Sequence, residues 1–72
     1  MTIKKTYHYI VEHENEVPWD VVVEVILTTK GIPIDPNLIK FIRKSRKKEI
    51  YILCSKDING NLKVINAKIR RR

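Results

Sequence analysis

The chain has 72 residues, a formal net charge of +7 and a hydrophobic content of 43%. This length allows one domain with a limited core, and this composition favours a folded chain over a disordered one. The longest apolar run, Val21–Leu27, is interrupted by Glu24 and is too short to span a membrane, and no secretory signal is visible. Cys54 is the only cysteine, which excludes an internal disulfide and leads us to expect an intracellular (cytoplasmic) protein.

The charge is unevenly distributed along the chain. Residues 1–36 carry three lysines against six acids, a net charge of −3, whereas residues 37–72 carry twelve lysines and arginines against two acids, a net charge of +10. A protein with one strongly cationic half is oriented by the field of a polyanion, so nucleic acid is the first partner that the charge suggests. The alternative is a solvated basic surface with no partner.

The first segment, residues 3–14, fits two secondary structures. Ile3, Tyr7 and Ile10 fall at helical spacing, whereas Tyr7 and Tyr9 alternate as in a strand, and the β-branched and aromatic content supports a strand. The residues alone leave both alternatives open.

Residues 20–30 are predicted to form a helix. Asp20 can cap its N-terminus, and Gly31 can end it. The predicted apolar face consists of Val22, Val23, Ile26 and Leu27, which Trp19 can extend. Because valines lower helix propensity, packing must stabilise this helix.

Residues 35–48, D-P-N-L-I-K-F-I-R-K-S-R-K-K, are predicted to form a second, basic helix. Asp35 is a suitable N-cap, and Pro36 suits the first helical position, where a missing N–H costs nothing. Apolar residues cluster toward one side, and six cations fall within the nine residues 40–48. A turn, G-I-P-I, precedes this segment.

The remainder is predicted to be a β-hairpin. E-I-Y-I-L-C and L-K-V-I-N-A-K-I alternate as strands do, and residues 55–61 connect them. Within this loop Asn59-Gly60 is a favoured type I′ pair. Residues 70–72 form a basic C-terminal tail.

This order of elements resembles the winged helix-turn-helix fold of small transcription regulators, including those on plasmids and viruses of archaea. E-N-E-V-P-W-D resembles the link into the second helix of that family. G-I-P-I-D-P-N-L-I-K-F-I resembles its turn and recognition helix, and E-I-Y-I-L-C-S-K-D-I-N-G-N-L-K-V-I resembles its wing. The resemblance implies an α-α-α-β-β fold over residues 1–72, with residues 3–14 helical. It also implies a sequence-specific regulator that binds double-stranded DNA as a homodimer.

The same resemblance implies a set of DNA-binding residues. The helix of residues 35–48 would enter the major groove, with Asn37 suited to adenine and Lys40 or Arg43 suited to guanine. The later cations would contact phosphates, and the wing at 55–61 would lie on a flanking groove or on phosphates. The predicted set is Asn37, Lys40, Arg43, Lys44, Arg46, Lys47, Lys48, Lys56, Asn59, Asn61, Lys63 and Arg70. Ile3, Tyr7 and Tyr9 are predicted to contribute to a dimer contact.

Two other classes of function stay open. With residues 6–12 as a strand the order becomes β-α-α-β-β, loosely like the core of a KH-type RNA-binding domain, although the G-x-x-G clamp of that domain is absent. The third interpretation is a protein-interaction module whose basic helix docks on an acidic partner.

Neither catalysis nor a cofactor is predicted. His8, His13 and Cys54 have irregular spacing and lack a fourth ligand, so they are not predicted to bind a metal ion. Cys54 lies in an apolar strand and is expected to be buried and unreactive. No oxyanion loop or orienting acid accompanies it, and no small-molecule ligand is evident.

Overall fold

Five strands and two helices form an α+β fold in the computed structural model, which describes residues 1–71. The elements in chain order are β1 (Ile3–Lys5), α1 (Tyr7–Glu12), α2 (Trp19–Thr28), β2 (Ile32–Asp35), β3 (Leu38–Lys44), β4 (Lys48–Lys56) and β5 (Leu62–Arg71). The strand order across the sheet is β1-β5-β4-β3-β2. β1 runs parallel to β5, and the other neighbouring strands are antiparallel. Neither helix in the described range is long and apolar enough to cross a membrane.

One face of this sheet carries the core. Phe41, Ile52 and Ala67 are register partners on β3, β4 and β5, and all three are buried. Because side chains alternate along a strand, every second residue of β3 and β4 shares their face, whereas a register shift opposite Leu53 and Cys54 brings Leu62 and Val64 of β5 to the same face. Both helices pack on it, and the core consists of Tyr9, Val17, Val22, Val25, Ile26, Phe41, Ile50, Ile52, Cys54, Leu62, Val64 and Ala67.

α1 is a short helix that tertiary contacts hold in place. The Thr6 hydroxyl accepts a hydrogen bond from the Tyr9 N–H at 3.2 Å and donates one to the Val64 carbonyl of β5 at 2.7 Å. The buried Tyr9 hydroxyl donates to the Val17 carbonyl at 2.7 Å, so the same side chain fixes the connection to α2. Six residues are too few for an independently stable helix, so these contacts stabilise α1.

The helix predicted at residues 20–30 is present as α2, with two corrections. Asp20 lies in its first turn instead of capping it; the N-cap is Pro18, which makes no side-chain hydrogen bond. Leu27, which was predicted on the apolar face, is exposed, whereas Val25, which was not, is buried.

The basic helix predicted at residues 35–48 is wrong, because this segment forms the end of β2, the whole of β3 and the turn into β4. The Asp35 carboxylate accepts from the Asn37 N–H at 2.7 Å, which closes a tight β2–β3 turn. An aspartate accepting from the N–H two residues on serves a turn as well as it serves a helix N-cap. After this turn the β-branched and aromatic residues of L-I-K-F-I-R-K favour a strand.

The predicted C-terminal hairpin is confirmed as β4 and β5, although its turn differs. Gly60 has a φ of +81° and no other residue of the described range has positive φ, whereas a type I′ turn needs positive φ at both central residues. Instead, the Asp57 carboxylate accepts from the N–H groups of Asn59 and Asn61, each at 2.9 Å. The result is a five-residue loop organised by Asp57.

The strand-dominated layout does not fit the α-α-α-β-β order of a winged helix-turn-helix. Of the predicted helix at 3–14, only α1 is helical, and β1 precedes it. The alternative β-α-α-β-β order is right in beginning with a strand, but that strand is Ile3–Lys5 and not residues 6–12. The alternative also made residues 35–48 helical, which is wrong for the same reason as above.

Candidate functional site

The face of the sheet opposite the helices, which we call the open face, is cationic. Its residues alternate with the buried ones, and they form four cross-strand rows: Leu38–Ser55–Lys63–Lys4, Lys40–Leu53–Asn66, Ile42–Tyr51–Lys68 and Lys44–Glu49–Arg70. Six of these residues are cations, against the single acid Glu49. All of the cations are exposed except Lys40, which is half-buried. A polyanion that lies along this face therefore meets positive charge in every row.

The middle of the open face is apolar and slightly concave. A cavity of ≈ 190 Å³ lies there, lined by Ile34, Lys40, Tyr51, Ile52, Leu53, Asn66 and Lys68. A second cavity, of ≈ 310 Å³, adjoins it and is lined by Tyr51, Lys68, Ile69 and Arg70. Tyr51 is half-buried and borders both cavities, and its hydroxyl donates to the Glu49 carboxylate. The arrangement places one aromatic ring, two flanking hollows and several cations on a single surface.

A second group of cations, which we call the basic end, lies where the β3–β4 hairpin turns. The N–H and the hydroxyl of Ser45 both donate to the Lys48 carbonyl at 2.9 Å, which leaves Arg46 and Lys47 exposed at the tip. Lys48 pairs in register with Arg71 of β5. The basic end comprises Lys44, Arg46, Lys47, Lys48, Arg70 and Arg71; Arg72, the last residue of the predicted tail, lies outside the described residues.

The predicted DNA-binding residues are distributed over several places. Lys40, Lys44, Lys63 and Arg70 share the open face, and Arg46, Lys47 and Lys48 join Lys44 and Arg70 at the basic end. Four others, Asn37, Lys56, Asn59 and Asn61, lie at the opposite end of the sheet, where the Lys56 N–H donates to the Asn37 carbonyl at 2.8 Å. No single helix brings these residues together.

Arg43 is not available to a ligand on the open face. It lies on the helix side of β3, where Nη1 donates to Oε1 of Glu24 at 2.8 Å and Nη2 donates to the Thr28 hydroxyl. This side chain joins the sheet to α2 and lies away from the other predicted cations of the open face; its contact with a guanine stays a prediction.

The β4–β5 loop, predicted as a wing, is organised by its own acid. The backbone N–H of Asn61, followed by that of Asn59, stabilises the Asp57 carboxylate and lowers the pKa of Asp57; the charge of Lys63 acts in the same direction. The Asn61 side-chain oxygen accepts from the Thr2 N–H at 3.0 Å, so it too is used internally. An anionic carboxylate at the centre of this loop opposes phosphate binding there.

Several residues of the open face are absent from the set predicted from the sequence. Among them, Lys4, Tyr51, Asn66 and Lys68 join the predicted cations only because β5 pairs with both β1 and β4. The signal available in the sequence was the alternation of E-I-Y-I-L-C, which places Tyr51 on the side opposite Ile50 and Ile52.

The structure also locates the residues considered for a dimer contact and for chemistry. Tyr9 has no exposed surface, so it cannot contribute to a dimer contact, whereas Tyr7 is 81% exposed; the homodimer itself stays a prediction. Cys54 is buried, and burial raises the pKa of its thiol to about 12, so the thiolate is scarce at neutral pH. Within residues 1–71 no group of three or more His, Cys, Asp and Glu side chains converges as a metal site.

Comparison with known proteins adds no family to this geometry. No protein-family model matches the chain, and no curated protein or solved structure matches it significantly. The fold and the site together define an α+β protein with one helix-covered sheet face and one open, cationic sheet face.

Proposed function

We propose that this protein binds nucleic acid on the open face of its sheet, and that single-stranded nucleic acid is the preferred ligand. The observation that carries the proposal is the row Ile42–Tyr51–Lys68, with an aromatic ring and a cation side by side at the centre of an uncovered cationic sheet. Single strands are bound by surfaces of this kind, because every base has a face that stacks on an aromatic ring while cations follow the phosphates.

Charge and shape support the same ligand. The six cations of the open face lie on β1, β3 and β5 around an apolar centre, so phosphates can pass along the rim while bases occupy the two hollows beside Tyr51. Asn66 lines one of these hollows and offers a donor and an acceptor to a base. A duplex buries its bases within the stack and cannot use Tyr51 in this way.

Duplex DNA, the ligand of the regulator expected from the sequence, is the second candidate. The observation in its favour is the pair of exposed cations Arg46 and Lys47 at the tip of a two-stranded ribbon, since a β-ribbon fits the major groove. This candidate uses the basic end instead of a recognition helix, and it makes Tyr51 irrelevant to binding.

Fluorescence anisotropy with labelled single strands and duplexes, each measured over a range of salt concentrations, separates these ligands. Four to six phosphate contacts predict a slope of log K against log salt of about −3 to −4 for a single strand. Tyr51→Ala should cost about 1–3 kcal/mol of single-strand binding and leave the salt slope unchanged. Lys68→Ala should reduce the magnitude of the slope by about 0.7.

The matched control is Lys30→Ala, which removes the same charge from the α2–β2 connection, outside the open face. It should change neither the slope nor the affinity by more than the small effect of net charge. Duplex binding that depends on Arg46 and Lys47 but not on Tyr51 would favour the second candidate. A slope near zero for every ligand, or equal losses from Lys30→Ala and Lys68→Ala, would exclude the open face as the binding surface.

A further inference from the structure

Two histidines that the sequence leaves apart meet on the surface of the helical layer. His8 lies in α1 and His13 directly follows it, and their Nε2 atoms are 3.2 Å apart. The ring centroids are 5.0 Å apart with an interplanar angle of 61°, so the rings meet edge to face. His8 is exposed and His13 is half-buried, so solvent ions can reach the pair.

The distance between the two nitrogens fits shared coordination of one metal ion. Zinc binds histidine nitrogen at about 2.0–2.1 Å with tetrahedral geometry, which places two ligand nitrogens about 3.3–3.4 Å apart. The observed separation lies within about 0.2 Å of that value, the tolerance expected of a metal site. In the metal-free protein the same separation allows a hydrogen bond from one ring to the other.

The backbone that carries His13 is held by hydrogen bonds, so little ordering of the chain is needed when an ion binds. The His13 N–H donates to the Tyr9 carbonyl at 2.9 Å, and the His13 carbonyl accepts from the N–H groups of Glu16 and Val17 at 3.0 and 2.9 Å. Tyr9 and Val17 both belong to the core. Ligands held by a packed backbone in this way are preorganised for an ion.

The charge around the pair favours a cation. Glu12, Glu14 and Glu16 flank His13 in the sequence, and Glu12 lies one helical turn after His8 on the same side of α1. The nearby cation Lys5 is engaged by Glu14 at 2.6 Å. An anion would be repelled here, whereas a metal ion gains from the field of the carboxylates.

We propose that His8 and His13 together bind one divalent transition-metal ion of the zinc class through their Nε2 atoms. The pair provides two ligands, and water occupies the remaining positions, because no further His, Cys, Asp or Glu side chain of residues 1–71 converges with it. Such a site is exchangeable and open to solvent, unlike a closed structural zinc site. The proposal is independent of nucleic-acid binding, since the pair lies on the helical layer and not on the open face.

Zinc chloride titrated into the full chain tests the site, with binding followed by calorimetry and thermal unfolding. We expect one equivalent of Zn²⁺ to bind and to raise the Tm, because an ion bound only by the folded state stabilises it. Mg²⁺, which prefers oxygen ligands, should give no shift. His8→Gln and His13→Gln should each abolish the Zn²⁺ shift while leaving the Tm of the metal-free protein nearly unchanged.

Cys54→Ala is the matched control, because it removes the chain's only thiol at a buried position away from the pair. The variant should keep the full Zn²⁺ shift relative to its own metal-free Tm. The proposal is overturned if Zn²⁺ shifts nothing, if Mg²⁺ shifts the Tm equally, or if the double variant His8→Gln/His13→Gln still binds Zn²⁺ like the unmodified chain.

Discussion

Arg43 of β3 donates from Nη1 to Oε1 of Glu24 on α2 over 2.8 Å, and this contact holds the arginine side chain on the helix side of the sheet. The other two cations of this strand, Lys40 and Lys44, belong to the open face. One strand thus gives a cation to the joint between helix and sheet and two cations to the opposite surface. The cations of this strand therefore have two separable roles.

Replacing Arg43 and Lys68 in parallel should separate stability from binding. Arg43→Ala should lower the free energy of unfolding by about 0.2–1 kcal/mol, since its ion pair is partly solvated, with side chains 30% and 62% exposed. It should leave nucleic-acid affinity almost unchanged. Lys68→Ala should do the opposite, and urea unfolding together with fluorescence anisotropy measures both. Equal losses of affinity in the two variants would contradict the assignment of the two faces.

Tyr9→Phe should destabilise the protein by about 1–3 kcal/mol. The change removes the hydroxyl that donates to the Val17 carbonyl at 2.7 Å and leaves a buried acceptor without its partner. Urea denaturation measures the loss. Tyr7→Phe is the matched control, because Tyr7 is 81% exposed, and its stability should stay within about 0.5 kcal/mol of the unmodified protein. Similar values for the two variants would show that the Tyr9 hydroxyl contributes nothing.

The same tyrosine should make the fold sensitive to alkali. Burial, followed by the charges of Glu14 and Asp20, raises the pKa of Tyr9 from 10.0 to about 12. The folded state therefore binds the phenolic proton more tightly than the unfolded state, so this contribution is complete below pH 10 and is lost as the pH rises toward 12.

Cys54 acts in the same direction, since burial raises the pKa of its thiol from 9.0 to about 12. Urea unfolding from pH 8 to 12 is therefore best compared between Cys54→Ala and Cys54→Ala/Tyr9→Phe. The first variant should lose stability more steeply above pH 10 than the second. Parallel curves for the two variants would refute the role of Tyr9.

The sequence predicts the C-terminal hairpin well because its local signals agree. In residues 48–71 the alternation, the β-branched residues and the loop residues all favour two antiparallel strands. Residues 35–48 give conflicting signals instead. Apolar residues at 38, 39, 41 and 42 fit one side of a helix, and they fit equally a strand with partly buried residues on both faces. Only pairing with β4 and β2 decides between them.

The same ambiguity between helix and strand limits how far the candidate site can be predicted. The sequence identifies most of the cations, because a net charge of +10 in one half is visible without a structure. Which cations share a surface depends on whether the segment is a helix, which repeats about every 3.6 residues, or a strand, which repeats every two. The sequence-based prediction therefore groups Arg43 with the cations of the open face and omits Lys68. Lys4 and Lys63 meet only through the parallel β1–β5 pairing, a contact across 59 residues that no local pattern reports.

The two glycines should respond to alanine for different reasons, which unfolding of single variants can measure. At Gly31 an added Cβ would lie 2.5 Å from Cδ1 of Ile39 and 3.0 Å from Cε2 of Phe41, so Gly31→Ala should cost about 1–3 kcal/mol through overpacking of the core. At Gly60 nothing lies within 4 Å of an added Cβ, but φ is +81°. Gly60→Ala should therefore cost about 1–2 kcal/mol through backbone strain alone.

Three further variants distinguish crowding from strain. Gly60→Asn should cost less than Gly60→Ala, because asparagine tolerates positive φ better than alanine does. Gly31→Asn should cost more than Gly31→Ala, because a larger side chain meets Ile39 and Phe41 at the same crowded place. Shortening Ile39 in the double variant Gly31→Ala/Ile39→Val should recover part of the loss relative to the two single variants, since the clashing Cδ1 atom is gone. Additive losses in that double variant would show that the cost at Gly31 does not come from its contact with Ile39.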